Sequence, residues 1–353
     1  MSGSSHDDAG HDDAGHDYAG HDYAGHDYAG HDYAGLDPDT VLAAVETLGS
    51  YSDGRLLALN SYENRVYQVG MEDAEPLIAK FYRPGRWSDA QIHEEHAFSF
   101  ELAEAEIPVV APLVFDGKTL FEHAGYRFAV FPRRGGRPPE LDDVNHLEQL
   151  GRFFGRIHMV GAARPFVHRP ALNIDNFGVE SATYLLENGW LPREIKASYR
   201  AISSELLDAI REKYATAADI ETLRLHGDAH PGNILWRDDA PHFVDLDDCR
   251  TGPAIQDLWM FLSGDRHYRN ARLMDLLIGY TEFREFDPRE LHLVEALRAL
   301  RMMHYAAWLA RRWDDPAFPL AFPWFNTARY WDDHILELKE QLSALDEPSL
   351  VWD

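Results

Sequence analysis

The sequence predicts an α+β chain of two lobes, a smaller mixed lobe followed by a larger, mainly helical one. Three observations carry this. Strand-like runs at Arg65–Val69, Pro76–Tyr82, Val109–Phe115 and Tyr126–Phe131 all lie in the first part of the chain. Helical periodicity dominates the rest. Between them Pro132-Arg133-Arg134-Gly135-Gly136 interrupts both patterns and places a boundary near residue 134. With 353 residues there is ample material for a buried core in two such units.

Composition narrows the function. Acidic residues number 60 against 33 basic, a formal charge of -27. That balance excludes a non-specific grip on nucleic acid or on an anionic membrane. It leaves room for a local basic site and for a cationic or neutral substrate. Cys249 is the only cysteine, so neither an intramolecular disulfide nor a cysteine metal cage is available. No apolar run approaches the ~18 residues of a membrane helix. The front of the chain lacks the basic and apolar regions of a signal peptide. The expectation is a cytoplasmic, soluble protein, monomeric by default.

Residues 6–35 repeat a pentapeptide six times, two copies of His-Asp-Asp-Ala-Gly and four of His-Asp-Tyr-Ala-Gly. A period of five suits neither helix nor strand, and no aliphatic side chain offsets the entropy of ordering. Residues 1–35 therefore read as a disordered tail. Its histidines, His6, His11, His16, His21, His26 and His31, each precede an aspartate, a pairing that can ligate zinc or nickel. The bland alternative is a solvated product of repeat expansion.

The first lobe, residues 36–134, opens with Asp37-Pro38, an N-cap followed by proline at the first helical position. Val41, Leu42, Val45 and Leu48 then share a helical face, and Gly49 ends the helix. Lys80 falls inside the second strand-like run, among Leu-Ile-Ala-Lys-Phe-Tyr. It reads either as an outward-facing strand lysine or as a cation held in a cleft. Ser88 and Gln91 form a capping-box pattern at the start of the next helix. There Ile92, Glu95, Phe98 and Leu102 share one face, which sets Glu95 among core residues. A buried carboxylate requires a partner, and Lys80 is the natural one. Glu94 points a helical step away. Arg83, Arg86, Arg133 and Arg134 read either as contacts to phosphate or substrate or, the commoner case, as surface arginines.

The second lobe, residues 135–353, begins with a helix marked by Leu147, Leu150, Phe154 and Ile157. Its most informative stretches are Leu223-Arg-Leu-His226-Gly227-Asp228-Ala-His230-Pro-Gly232-Asn233-Ile-Leu-Trp236 and His242-Phe-Val-Asp245-Leu-Asp247-Asp248. Phosphoryl transfer needs such residue types. One carboxylate orients the attacking hydroxyl and accepts its proton. Another carboxylate and an amide oxygen hold magnesium against the phosphates, and a lysine fixed by a helix glutamate positions those phosphates. Lys80, Glu95, Asp228, Asn233 and Asp245 occur in the order of a protein-kinase-like site, with the kinase Asp-x-x-x-x-Asn interval. A Walker P-loop and a Gly-x-Gly-x-x-Gly are both missing from the first lobe.

His-Gly-Asp-x-His-x-x-Asn resembles the aminoglycoside phosphotransferase and choline kinase superfamily. The chain is more similar still to the bacterial stress response kinase A family of serine/threonine protein kinases. The carrying stretches are Leu59–Gln68, Ala79–Pro84, Leu225–Trp236, Phe243–Asp248, Gln256–Met260 and Trp308–Asp314. The resemblance covers about residues 37 to 345, and nothing of the family carries over to the repeats. It implies a bilobal protein-kinase-like fold, with an antiparallel sheet in the small lobe, and it implies ATP and magnesium. It makes Asp228 the catalytic proton acceptor and Asn233 and Asp245 the metal ligands, with Asp245 also catalytic. It sets Ser61 and the Lys80–Glu95 pair against the nucleotide, and adenine against the backbone from Phe131 to Arg133. By the same analogy Asp257 holds the catalytic loop, and Asp247 is either an aid at a second metal or a solvated carboxylate. The acceptor it implies is a protein serine or threonine. A small-molecule kinase of the aminoglycoside, choline or homoserine kinase type is the runner-up, and the acidic composition favours a cationic small substrate. The helix around Leu293, Leu297 and Leu300, with its arginines and tryptophans, reads either as core or as a wall of the acceptor site. A kinase-shaped binder without catalysis is disfavoured, because every catalytic residue type is present.

Overall fold

The computed structural model describes residues 32–352. The repeats up to His31, and with them the metal-capture reading of the histidines, lie outside the described residues.

The sixth repeat departs from the tail reading. Asp32–Gly35 are part of the folded lobe. Tyr33 is 3% exposed. Its ring has the Arg65 guanidinium 4.5 Å and that of Arg83 5.2 Å from its centroid, and its hydroxyl reaches the Glu63 and Phe81 carbonyls. Asp32 pairs with Arg83 at 2.8 Å. The tail reading of residues 1–35 is corrected for these four residues. A tyrosine without aliphatic neighbours in sequence finds its partners only in the tertiary structure.

Helix α1 (Pro38–Glu46) is capped by Asp37, which accepts from the Thr40 amide, and buries Val41, Ala44 and Val45. Five antiparallel strands follow: β1 (Ser52–Leu59), β2 (Arg65–Met71), β3 (Leu77–Phe81), β4 (Phe121–His123) and β5 (Tyr126–Pro132), ordered β1-β2-β3-β5-β4. Helix α2 (Asp89–Glu104) connects β3 to β4, and its capping box at Ser88 and Gln91 is present. Strand alternation decides which way β3 faces. Ala79 and Phe81 pack with Phe128, Val130 and the α1 side chains. Ile78 and Lys80 therefore face the opposite side, where the cleft lies.

The expected strand at Val109–Phe115 does not form. Val109 makes one isolated bridge to Phe243 and Phe115 another to Lys118. Pro108 and Pro112 flank Val109–Ala111 and carry no amide donor, which prevents a continuous ladder. The segment is held instead at single points, Val110 to the Phe243 carbonyl and Leu113 to that of Val130.

The second lobe holds α3 (Val144–Ala162), α4 (Glu180–Glu187), α5 (Lys196–Thr216), α6 (Arg266–Tyr280), α7 (Val294–Arg311), α8 (Ala317–Ala321) and α9 (Ala328–Leu345). Short strands β6 (Leu223–Leu225) and β9 (Arg250–Gly252) pair, as do β7 (Ile234–Arg237) and β8 (Ala240–Phe243). Leu147, Leu150, Phe154 and Ile157 all enter the core, as their spacing predicts. Leu297 and Leu300 of α7 are also core, so the apolar face of that helix packs inward while its other side reaches the cleft. No helix of the described residues is long and apolar enough to cross a membrane.

Helices α3 and α6 approach through glycine. A Cβ on Gly151 would stand 1.9 Å from the Leu276 carbonyl oxygen, and one on Gly279 1.9 Å from that of Glu148. Gly151→Ala should therefore lower stability by about 1–3 kcal/mol, since the obstructing atoms are backbone. Urea denaturation followed by circular dichroism checks this, and an unchanged midpoint would show a looser crossing.

Candidate active site

Lys80 is 5% exposed and surrounded by three carboxylates. Its Nζ lies 3.3 Å from Glu95, 3.1 Å from Asp245 and 3.0 Å from Asp247. Burial by itself would lower the ammonium's pKa, but Asp247, Glu95 and Asp245 outweigh it and raise the pKa well above the usual lysine range. Burial raises Glu95, with Lys80 opposing. The cleft reading of Lys80 thus replaces the outward-facing one. Glu94, one helical step away, accepts three backbone N–H bonds from Val167, His168 and Arg169.

The loop that leaves β6 at His226-Gly227-Asp228 is held by a buried aspartate. Asp257 accepts from the amides of His226 and Gly227, both at 2.8 Å. His158 braces the same carboxylate at 3.2 Å and meets the Tyr280 hydroxyl through its other nitrogen. Gly227 has φ +86, and a Cβ there would stand 2.2 Å from the Asp248 carbonyl oxygen. Glycine is therefore required twice over, by conformation and by space. Asp228 accepts from Arg301 Nη1 at 2.7 Å. Asn233 Nδ2 donates to the Asp228 carbonyl at 2.9 Å. Burial pushes the Asp228 carboxyl up, but Arg301 and His230 bring it below the usual carboxylate range.

Hairpin β7–β8 carries the chain from Asn233 to Asp245, closed by the Val244 amide on the Asn233 carbonyl. Asp245 adopts φ 58, ψ 63, a left-handed conformation that aspartate tolerates better than most residues. Half of its side chain is exposed, towards the cleft. Asp247 is buried and pairs with Lys80 and Arg86, so the reading as a solvated carboxylate is corrected. Burial pushes Asp247 up, yet Lys80 and Arg86 hold it down at about 2. Arg169 runs beneath this loop and donates to the Leu246, Asp247 and Cys249 carbonyls.

Two of the four supposed surface arginines are internal. Arg83, 2% exposed, donates to the Tyr62 and Glu63 carbonyls and pairs with Asp315. Arg86 pairs with Asp247 and Asp248. Glu63 in turn accepts from Arg312 and from the Trp308 indole N–H. The loop Asn60–Asn64 is thereby clamped to the end of α7, with Ser61 lining the cleft below it.

The cleft has a volume of about 730 Å³, within the usual range for ligand sites. Ser61, Lys80, Glu95, Phe131, Asp228, Asn233 and Asp245 all line it. Arg133 does not. It lies just past the end of β5, where its side chain is exposed and bonds Gln68 Oε1 at 2.8 Å, while Arg134 lines the cavity. Arg169, His158 and Glu63 are additions that the sequence did not single out, and Arg301 entered only as one of the arginines on the helix read either as core or as a wall of the acceptor site. Only the carboxylate–arginine pairing rule pointed towards them, without naming partners.

Among the described residues no group of three or more His, Cys, Asp or Glu side chains is arranged to hold a metal alone. Asn233 and Asp245 offer one amide oxygen and one carboxylate. That sparse oxygen set suits magnesium, which keeps water ligands and shares phosphate oxygens, and does not suit a metal caged by protein.

The matched family model is the phosphotransferase enzyme family, over residues 55–294. The serine/threonine protein kinase RdoA of Salmonella typhimurium is 47% identical over 315 residues, covering 89% of this chain and 95% of that protein. Stress response kinase A of Escherichia coli strain K12 is 46% identical over the same coverage. The chain belongs to the stress response kinase A branch of the phosphotransferase enzyme family. Solved structures of an amicoumacin kinase, in complex with AMP-PNP, Ca2+ and Ami, and of a microcompartment-associated aminopropanol kinase share the fold. Their TM-scores are 0.69 and 0.64 at 20% and 17% identity, covering 89% and 86% of this chain and 95% of each of theirs. The stress response kinase A-type chain is thus a phosphotransferase, and its bilobal α+β architecture is the expected one.

In this phosphotransferase the turn carrying Asp257 is fixed from below by Glu290, which accepts from the Ile255 amide at 2.8 Å. Burial pushes Glu290 up to about 7 from its ordinary 4.5. The folded state therefore keeps a proton that the unfolded chain has released. Stability from this group is complete below pH 4.5 and is lost as pH rises towards 7, at up to about 1.4 kcal/mol per pH unit. Glu290→Gln should remove that loss, so its melting temperature relative to wild type should climb between pH 5 and 8. Parallel melting curves for the two proteins would contradict the assignment.

Proposed function

We propose that this phosphotransferase is an ATP-dependent serine/threonine protein kinase. The observation that carries the reading is the convergence of Asp228, Asn233, Asp245 and the Lys80–Glu95 pair on one cleft. Asp228 orients the acceptor hydroxyl and takes its proton. A carboxylate held below its usual range is a weak base, which suits a loose transfer in which the nucleophile's proton leaves late. Lys80, kept protonated, donates to the donor phosphates, and Glu95 keeps it in place. Ser61 offers its amide and hydroxyl to a phosphate from above. Phe131 and the backbone up to Arg133 border the adenine end, with the Arg133 side chain taking no part. Asn233 and Asp245 would hold magnesium, which neutralises phosphate charge when bound.

A protein acceptor is favoured over a small cation by the charge state of the cleft. A site for an ammonium substrate needs a carboxylate to spare. Here each carboxylate lining the cleft already has a lysine or arginine nitrogen within 3.3 Å, with Glu95, Asp245 and Asp247 sharing the Lys80 ammonium and Arg86 supplementing it at Asp247.

Radiolabel transfer from γ-labelled ATP tests this, with a protein acceptor in one reaction and amino-alcohols and aminoglycosides in another. Asp228→Asn should fold and bind nucleotide but lose transfer by about 10²–10⁴-fold. Chelation of divalent metal should abolish transfer in the wild type. Near-wild-type activity in the variant would remove Asp228 from its role, and label confined to small molecules would replace the protein-kinase reading.

A further inference from the structure

Six carboxylates line the cleft: Glu63, Glu95, Asp228, Asp245, Asp247 and Asp248. Each has a cationic nitrogen within 3.3 Å. The acceptor side, around Asp228, is bordered by Arg301 and Arg250 and by His304 of α7. His304 adds no negative charge, and burial with the neighbouring Arg250 holds its imidazole neutral, at about 3. Arg250 is committed to Asp248 at 2.6 Å. Arg301 is different. Its bond to Asp228 uses one of the five N–H donors of a guanidinium, and 43% of its side chain remains exposed.

The geometry places this charge next to the reacting hydroxyl. Arg301 occupies Oδ1 of Asp228. Oδ2 lies 3.4 Å from Asn233 Nδ2 and 3.6 Å from His230 Nε2. A hydroxyl that reaches this carboxylate therefore arrives within a few ångströms of the Arg301 guanidinium. A substituent carried one residue from that hydroxyl meets the guanidinium N–H donors that Asp228 leaves free, and among the described residues Arg301 has no other carboxylate within ion-pair distance. Resting on the protein-kinase reading, we infer that Arg301 is a specificity-determining residue that selects serine or threonine acceptors flanked by acidic side chains and disfavours those flanked by basic ones.

The chain's overall charge of -27 acts against this at long range. At physiological ionic strength that field is screened beyond ~8 Å, whereas Arg301 acts inside this distance. A contact of this kind is worth about tenfold in selection at an effective dielectric between protein and water.

The test uses two peptides with the same central serine, one flanked by aspartate and glutamate and the other by lysine and arginine. Both are assayed with the full chain at ~0.15 M salt. Wild type should favour the acidic peptide by about tenfold in kcat/KM, mainly through KM. Arg301→Gln should bring the ratio of the two peptides close to one, whatever its absolute rate, and Arg301→Lys should restore most of the preference. Equal use of both peptides by wild type, or preference for the basic one, would overturn the inference and leave the kinase reading intact. An Arg301→Gln variant that slows both peptides equally would reduce Arg301 to a positioning residue for Asp228. Label on amino-alcohols but on neither peptide would overturn the protein-kinase reading itself, and this inference with it.

Discussion

The site depends on one buried ammonium. Lys80 can be buried only because Glu95, Asp245 and Asp247 stand within 3.3 Å of it. Three constraints bring these four residues together. Strand alternation in β3 turns Lys80 inward. The Ser88 capping box sets the rotation of α2 that presents Glu95 and not Glu94. The left-handed turn at Asp245 brings two carboxylates of one short segment to the same nitrogen. Removing Lys80 would leave buried carboxylates uncompensated, a cost well beyond that of a surface pair. The cluster is acidic overall, so two further cations close it, Arg86 against Asp247 and Asp248, and Arg169 beneath the loop carbonyls.

The same logic of neutralised carboxylates ties the lobes together. Glu63 lies beside Ser61 in the loop that covers the cleft, yet its partners include Arg312 and Trp308 of the second lobe. Asp315 returns the connection, pairing with both Arg65 and Arg83. Tyr33 fits between those two arginines. The last repeat is thus part of the device that holds the covering loop. A glycine-rich loop achieves closeness to phosphate by lacking side chains. This loop, Asn60-Ser61-Tyr62-Glu63-Asn64, is instead fixed by its side chains and by arginines bound to its carbonyls.

That Asp228, Asn233 and Asp245 share one cleft was legible because each sits in a short motif whose spacing is set by local geometry. Asn233 lies five positions after Asp228, across one turn in which it bonds the Asp228 carbonyl. Glu95 could be matched with Lys80 because a charge on a core face demands a partner. The pairings that escaped notice are those between residues remote in sequence. Arg301 lies 73 residues from Asp228 and Arg312 lies 249 from Glu63, and no local pattern connects them. Arg83 and Arg86 look like surface arginines in sequence because nothing nearby in the chain is buried with them. Val109–Phe115 misled for the opposite reason, since β-branched residues suggest a strand while Pro108 and Pro112 remove the donors a ladder needs.

Helix α7 links these observations. Its apolar face, with Leu297, Leu300 and Met303, is locked into the core. Its other face presents Arg301 to Asp228, and Trp308, with Arg312 just past its end, to the covering loop. One rigid element therefore contacts both Asp228 and the loop that carries Ser61. A shift of this helix would change the charge beside Asp228 and the position of Ser61 together. In the proposed kinase, acceptor selection and phosphate positioning would therefore be coupled through α7, with the tight packing of its core face making that coupling stiff.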